Sequence, residues 1–288
     1  MSTDTEPAAT APATTQPPAP QAQAIASALA NSPRPQRPGP LTSSLIFGQR
    51  ALLKIRHVPE QLFDVTLFPV MMTVLFTWLF GGAIAGSTQE YIQFLAPGVL
   101  VQSVLMITMY TGVTLRTDID KGVFDRFRSL PIWRPSALVG MLLGDAVRFT
   151  IASIVTAVVC LLLGWRPGGG FMGVTMGVLV LLVFAFALGW IWTFLSMILR
   201  TPNSIMGVAM FVLMPLTFGS NIFVDPSTMP GWLQGWVSVN PVSHLVTTVR
   251  AFMDGISPGA ELTWTLLWAA GFIAVFGSLT MWKYRDPR

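Results

Sequence analysis

Six long apolar stretches, each nearly free of charge, limit what this chain can fold into. They cover residues 62–84, 92–115, 138–165, 171–199, 205–224 and 263–282. A bilayer core about 30 Å thick needs about 20 apolar helical residues, so each stretch is long enough to cross. The runs are continuous and do not alternate on a period of two, which argues for helices and against strands. Only 10% of the residues are charged, whereas a soluble domain carries about 25%. An ordinary soluble enzyme is thereby excluded. The expected fold is an all-α integral membrane protein with six transmembrane helices and both termini on one side.

The basic residues set the orientation. With the N-terminus inside, 14 of the 17 Lys and Arg fall on the cytoplasmic side. Only Arg166 and Arg250 fall outside, and Arg148 lies near or within the third stretch. Positive residues collect on the cytoplasmic side, so both termini are expected to be cytoplasmic in a multi-pass protein of the cell membrane. Topology accounts for the net charge of +4, and no nucleic-acid partner is needed. Trp165, Trp232, Trp236, Trp264 and Trp282 fall near expected interfaces, which favour an amphipathic ring. Trp190 and Trp192 fall inside the fourth stretch and read as packing residues.

Residues 1–40 are rich in Pro and Ala and poor in large apolar side chains. They read as a disordered cytoplasmic tail, without the layout of a signal peptide. Residues 41–288 form the expected transmembrane domain. At its start Arg50, Lys54 and His57 share one side of a helix. That suits a helix lying in the interface with its basic side toward anionic lipid. A cytosolic linker helix would carry the same pattern.

Several chemistries lack their residues. The single cysteine, Cys160, excludes an intramolecular disulfide and a Cys-cluster metal site. His57 and His244 fall on opposite sides of the membrane, so no metal is expected. A P-loop needs Gly-Lys, yet Lys54, Lys121 and Lys283 follow Leu, Asp and Trp. No cofactor is expected on this chain, and any ATP must be bound by a partner. The one candidate for intramembrane proteolysis, Ser220 with His244, has nothing to bring it together. No catalytic residue is named. An ATPase-independent secondary transporter or channel is the rival reading. It predicts charged residues deep in the spans, and all but the third stretch lack them between their ends. No convincing internal repeat supports it.

Three segments could carry function. The loop 116–134 holds eight of the thirty charged residues. Gly122 and Pro131 bracket about two turns of helix with an aromatic ridge, Phe124 and Phe127, flanked by Asp125, Arg126 and Arg128. Such a helix suits docking into a groove on a cytosolic partner; a solvated positive-inside loop is the plainer reading. On the outside, the segment 225–261 is too broken by Pro and Gly to cross. Trp232 and Trp236 give it a short helix with an apolar face, and Asn240-Pro241 turns the chain. It reads as an outer gate over an exit path or as an interfacial linker. Last, Asp145 and Arg148 are spaced i, i+3 in the third stretch. A charge at the bilayer centre costs about 2.5–3.5 kcal/mol. The cheaper register crosses at 149–165 and leaves the two as an ion pair at the inner mouth; a polar contact lining a cavity entrance is the alternative. Asp64, at the start of the first stretch, poses the same choice.

At the loop a family resemblance appears. Asp120, Gly122 and Asp125-Arg126-Phe127-Arg128-Ser129-Leu130-Pro131-Ile132 resemble the loop after the second helix of ABC-2 type transporter permeases, in the drug and lipid exporter group that includes daunorubicin resistance. Two further stretches are similar to that family. One runs from Pro215-Leu216-Thr217-Phe218 through Met229-Pro230-Gly231-Trp232-Leu233-Gln234 and Val239-Asn240-Pro241 to Val249-Arg250. The other is the first span with Pro69 near its start. The resemblance implies one permease subunit of an ATP-driven exporter moving a hydrophobic or amphipathic substrate. Its implied partners are a second permease subunit, identical or not, and a separate cytosolic ATP-binding subunit. The interfacial helix and the loop 116–134 would meet the ATPase, the loop acting as a coupling helix.

Overall fold

A computed structural model describes residues 59–122 and 136–285, with the backbone alone at 59–66, 68, 69, 84, 85, 136–138, 284 and 285. The tail 1–40, the helix bearing Arg50 and Lys54, the loop residues Phe124 to Arg128, and Pro131 lie outside the described residues. So does the side chain of Asp64.

The elements in order are α1 (Pro59–Ala85), α2 (Thr88–Asp120), α3 (Ser136–Leu162), α4 (Gly170–Ile198) and α5 (Pro202–Phe218). A 3-10 turn (Pro226–Thr228) leads to two short helices, α6 (Gly231–Val239) and α7 (Pro241–Met253). The last helix is α8 (Ala260–Phe272), a π-helical turn (Ile273–Gly277) and α9 (Ser278–Arg285) in unbroken succession. No strand occurs among the described residues.

Four helical runs are long and apolar enough to cross a membrane: α2, α3 from Val139, α4, and Ala260–Lys283. The described apolar part of α1, Val70–Ala83, and α5 are shorter. Phe171, Leu162 and Phe211 are more than 80% exposed, and Met71, Trp78, Leu79, Ile154, Trp264 and Trp282 are exposed with them. Soluble monomers rarely show so much contiguous apolar surface. In lipid that surface is the solvated one, and helices satisfy every backbone polar group internally. The chain is a multi-pass helical membrane protein.

The core is built around α2. Nineteen of its 33 residues are buried, and it touches α1, α3, α4, α5 and α7. A helix apolar on every side belongs in the middle of a bundle. Tyr91, Leu95, Leu100, Val104 and Leu105 are fully buried, with Leu181, Phe184 and Trp192 of α4 against them. The Trp192 indole donates to Thr108 Oγ1 at 2.8 Å. Trp190, like Trp192, is buried.

Two expected boundaries move. The fifth apolar stretch runs to residue 224, but α5 ends at Phe218. Gly219 N–H donates to Pro215 O at 2.9 Å, closing the last turn. Residues 219–224 then turn inward, with Ile222 fully buried. They approach α2 so closely that a Cβ on Gly98 would sit 2.7 Å from Ile222 O. Their apolarity serves packing against protein, which composition cannot tell from lipid contact.

The third helix stops short of Trp165. It is continuous from Ser136 to Leu162, so Asp145 and Arg148 lie well inside it. Trp165 folds back and is 1% exposed, a packing residue and not an interfacial anchor.

Candidate functional site

The functional candidates fall at three levels of the helix bundle. At one end α2 runs on to Asp120, which is ion-paired with Arg116 one turn earlier. Lys121 N–H donates to Thr117 O (3.1 Å) and Gly122 N–H to Ile119 O (3.0 Å). Gly122 takes φ +64, a left-handed conformation that glycine adopts without strain and that stops a helix. Asp120 and Gly122 therefore fix where the helix gives way to the segment joining α2 to α3.

At the second level Asp145 and Arg148 are 5% and 3% exposed and form an ion pair. Thr111 of α2 donates its hydroxyl to the other carboxylate oxygen, Oδ2, at 2.5 Å. Burying charge is costly unless the charge is paired and hydrogen-bonded, and this cluster meets that condition from two helices. Eight residues further toward the opposite end of α2, Ser103 and the α3 residue Thr156 are hydrogen-bonded at 3.3 Å.

At the third level the short helices close over the other end of the bundle. Trp232 is 77% and Trp236 44% exposed on α6, and the Trp236 indole nitrogen lies close to Gly219. Asn240 is 2% exposed and serves two helices at once. Its Oδ1 accepts from Val242 N–H at 2.9 Å, capping α7, while its Nδ2 donates to Leu216 O (2.8 Å) and Gly219 O (2.9 Å) at the end of α5. Pro241 occupies the first turn of α7, where its missing N–H costs nothing. The structure thus brings Asn240 and Pro241 together with Trp236, and leaves Trp232 facing outward.

Arg250 of α7 also belongs to this level. Its Nη2 donates to Phe94 O (3.2 Å) and Asn221 O (3.1 Å). Burial pushes its guanidinium down to about 10, opposed by the Asp254 and Asp225 carboxylates, so it stays charged at neutral pH. The same burial raises the Asp254 carboxyl above its ordinary value, against the pull of Arg250. Tyr91 donates its hydroxyl to Phe223 O at 3.0 Å. On the far side of α7, His244 Nδ1 lies 2.6 Å from Glu261 Oε2, with its ring over Trp264. At the foot of the same level Gln89 and Gln93 donate to Gly164 O at 2.8 and 3.0 Å, and Arg166 N–H returns a bond to Gln93 Oε1 at 2.8 Å. None of these contacts has a local signal in the sequence. No cluster of three or more metal-ligating side chains occurs among the described residues.

The structure is thus a helical membrane bundle with a polar cluster between two long helices and short helices folded over one end. The chain belongs to the ABC-2 type transporter family, whose model matches residues 43–253. It is 46% identical, over 96% of its length and 98% of the relative's, to the daunorubicin resistance ABC transporter permease protein DrrB1 of Streptomyces coeruleorubidus. It is 20% identical, over 83% of its length and 89% of the relative's, to the probable doxorubicin resistance ABC transporter permease protein DrrC of Mycobacterium tuberculosis. It is also 25% identical, over 70% of its length, to the putative transport permease ycf38 of Cyanophora paradoxa, of which it covers 71%.

Proposed function

We propose that this chain is the permease subunit of an ATP-driven exporter that moves a hydrophobic or amphipathic compound, such as an anthracycline drug, out of the cell. The observation that carries this reading is the 46% identity to a daunorubicin resistance permease across 96% of the chain. The absence of a Gly-Lys pair supports a separate ATP-binding subunit, because backbone amides and a lysine must cradle the phosphates. A second permease subunit completes the assembly.

The chain crosses six times, with both termini cytoplasmic and α6 and α7 outside. The positive-inside count and the lengths of the apolar stretches support that topology. The segment after Asp120 and Gly122, with Phe124, Asp125, Arg126, Phe127, Arg128 and Pro131, is the coupling helix; Arg50 and Lys54 sit on the interfacial helix beside it. Asp145 and Arg148 lie toward the inner mouth, with Asp64 nearby, and Trp232, Trp236, Asn240 and Pro241 form the outer gate.

Purification of the tagged chain from membranes should bring down a cytosolic ATP-binding protein. The double change Phe127→Ala with Arg128→Ala should release that protein or uncouple its ATP hydrolysis, while the permease remains in the membrane. ATP-driven export that survives the double change intact would remove the coupling assignment.

A further inference from the structure

Where α7 meets residues 219–224, the side-chain atoms Asn221 Oδ1, Ser243 Oγ and Arg250 Nε are buried without a hydrogen-bond partner among the described residues. Buried polar atoms are nearly always paired, so three in one place call for a ligand. Ser243, Thr247 and Arg250 are spaced i, i+4, i+7 on one face of α7. Asn221 joins that face twice. Its Nδ2 donates to Thr247 Oγ1 at 2.8 Å, and its carbonyl oxygen accepts from Arg250 Nη2 at 3.1 Å. Asn221 and Ser243 are 6% and 5% exposed, while Thr247 and Arg250 beside them are half-buried and leave the cluster an open side.

The bonds already made fix what the cluster offers. Thr247 gives its hydroxyl proton to Ser243 O at 2.9 Å, so toward Asn221 it can only accept. The Asn221 amide is thereby oriented with Nδ2 on Thr247, and Oδ1 remains as an acceptor. Ser243 Oγ can donate or accept, and Arg250 Nε can only donate. A group that satisfies all three must both donate and accept, as a hydroxyl beside a carbonyl does. An anion fits poorly, because Asn221 Oδ1 would repel it and the carboxylates of Asp254 and Asp225 already act on Arg250. An ammonium group fits poorly beside the guanidinium. Two residues beyond Asn221, the Phe223 ring is stacked on Phe76 and Phe218, with centroids 4.5 and 5.1 Å apart, and Phe218 is 45% exposed. An aromatic compound therefore finds an apolar approach next to the polar atoms.

We propose that Asn221, Ser243 and Arg250 form a subsite that holds the uncharged, hydroxyl-bearing part of an aromatic compound at the outer end of the bundle. This rests on the exporter reading above and names the oxygen chemistry by which the exported compound is recognised there.

The test measures binding to the permease with its ATP-binding subunit in nanodiscs. The probes are daunorubicin, which carries ring hydroxyls beside carbonyls, and ethidium, an aromatic cation with neither; fluorescence anisotropy gives both dissociation constants. Ser243→Ala removes a hydroxyl that has no partner in the protein, so its melting temperature is expected at or above that of the parent. Its daunorubicin dissociation constant is expected to rise about threefold to tenfold, the loss of one hydrogen bond, with ethidium binding unchanged. An unchanged daunorubicin constant leaves water as the partner of these atoms and overturns the proposal. An equal loss for both dyes also overturns it. So does a lower melting temperature, which would show that the hydroxyl is already paired within the protein. A parent complex that neither binds daunorubicin nor takes it up with ATP would instead count against the exporter reading, so the two failures are distinct.

Discussion

Arg250 lies over the Phe94 ring, its guanidinium carbon 4.0 Å from the ring centroid, and bonds to that residue's own carbonyl oxygen. One side chain thereby ties the short helix α7 to the central helix α2. Arg250→Ala removes the ring contact and two charge-assisted bonds, each worth about 1.5–3 kcal/mol when charged groups take part. The detergent-solubilised variant is expected to unfold several degrees lower than the parent. Arg250→Lys, which keeps charge but not the planar fork, should fall between them. A melting point unchanged in Arg250→Ala would show that the tie carries no stability.

Asn240 allows a sharper comparison. Asn240→Ala takes away the α7 cap and the donor to two carbonyl oxygens, at a cost of about 1–3 kcal/mol. Asn240→Asp keeps the cap but sets a carboxylate against Leu216 O and Gly219 O. It should therefore be no better than Asn240→Ala in thermal unfolding. Parent-like stability in Asn240→Asp would mean that only the cap matters.

Two glycines test the packing of 219–224. Gly98→Ala forces a methyl group to within 2.7 Å of Ile222 O, and overpacking of this kind costs about 1–3 kcal/mol. Gly207→Ala, on α5, meets nothing within 4 Å and should be neutral or stabilising by about 0.5–1 kcal/mol, as a helical glycine replaced by alanine. Membrane yield and melting temperature of the two variants give the comparison; equal behaviour would contradict the close approach.

The long helices and the two short ones were legible because apolar length, tryptophan spacing and the Asn240-Pro241 turn are local signals. The early end of α5 was not. Residues 219–224 continue the apolar text, and only the surface of α2 decides that they are buried in protein. The double cap by Asn240 shows the same limit: its bond to Val242 follows from local sequence, whereas its bonds to Leu216 and Gly219 span more than twenty residues. Arg250 reaches a helix 156 residues away and leaves no pattern in sequence spacing. Asp145 was recognised as a costly residue in a span and given Arg148 as partner. Thr111, the partner that ties it to α2, lies 34 residues earlier and is one of many threonines in the apolar stretches.

The central claim is that this chain exports an apolar compound on energy supplied by another polypeptide. The most direct measurement is daunorubicin uptake into inside-out vesicles that contain the permease with or without its ATP-binding subunit, in the presence of ATP or a non-hydrolysable analogue. Uptake is expected only when both subunits and hydrolysable ATP are present. Uptake by the permease alone, driven by an ion gradient and indifferent to ATP, would contradict it.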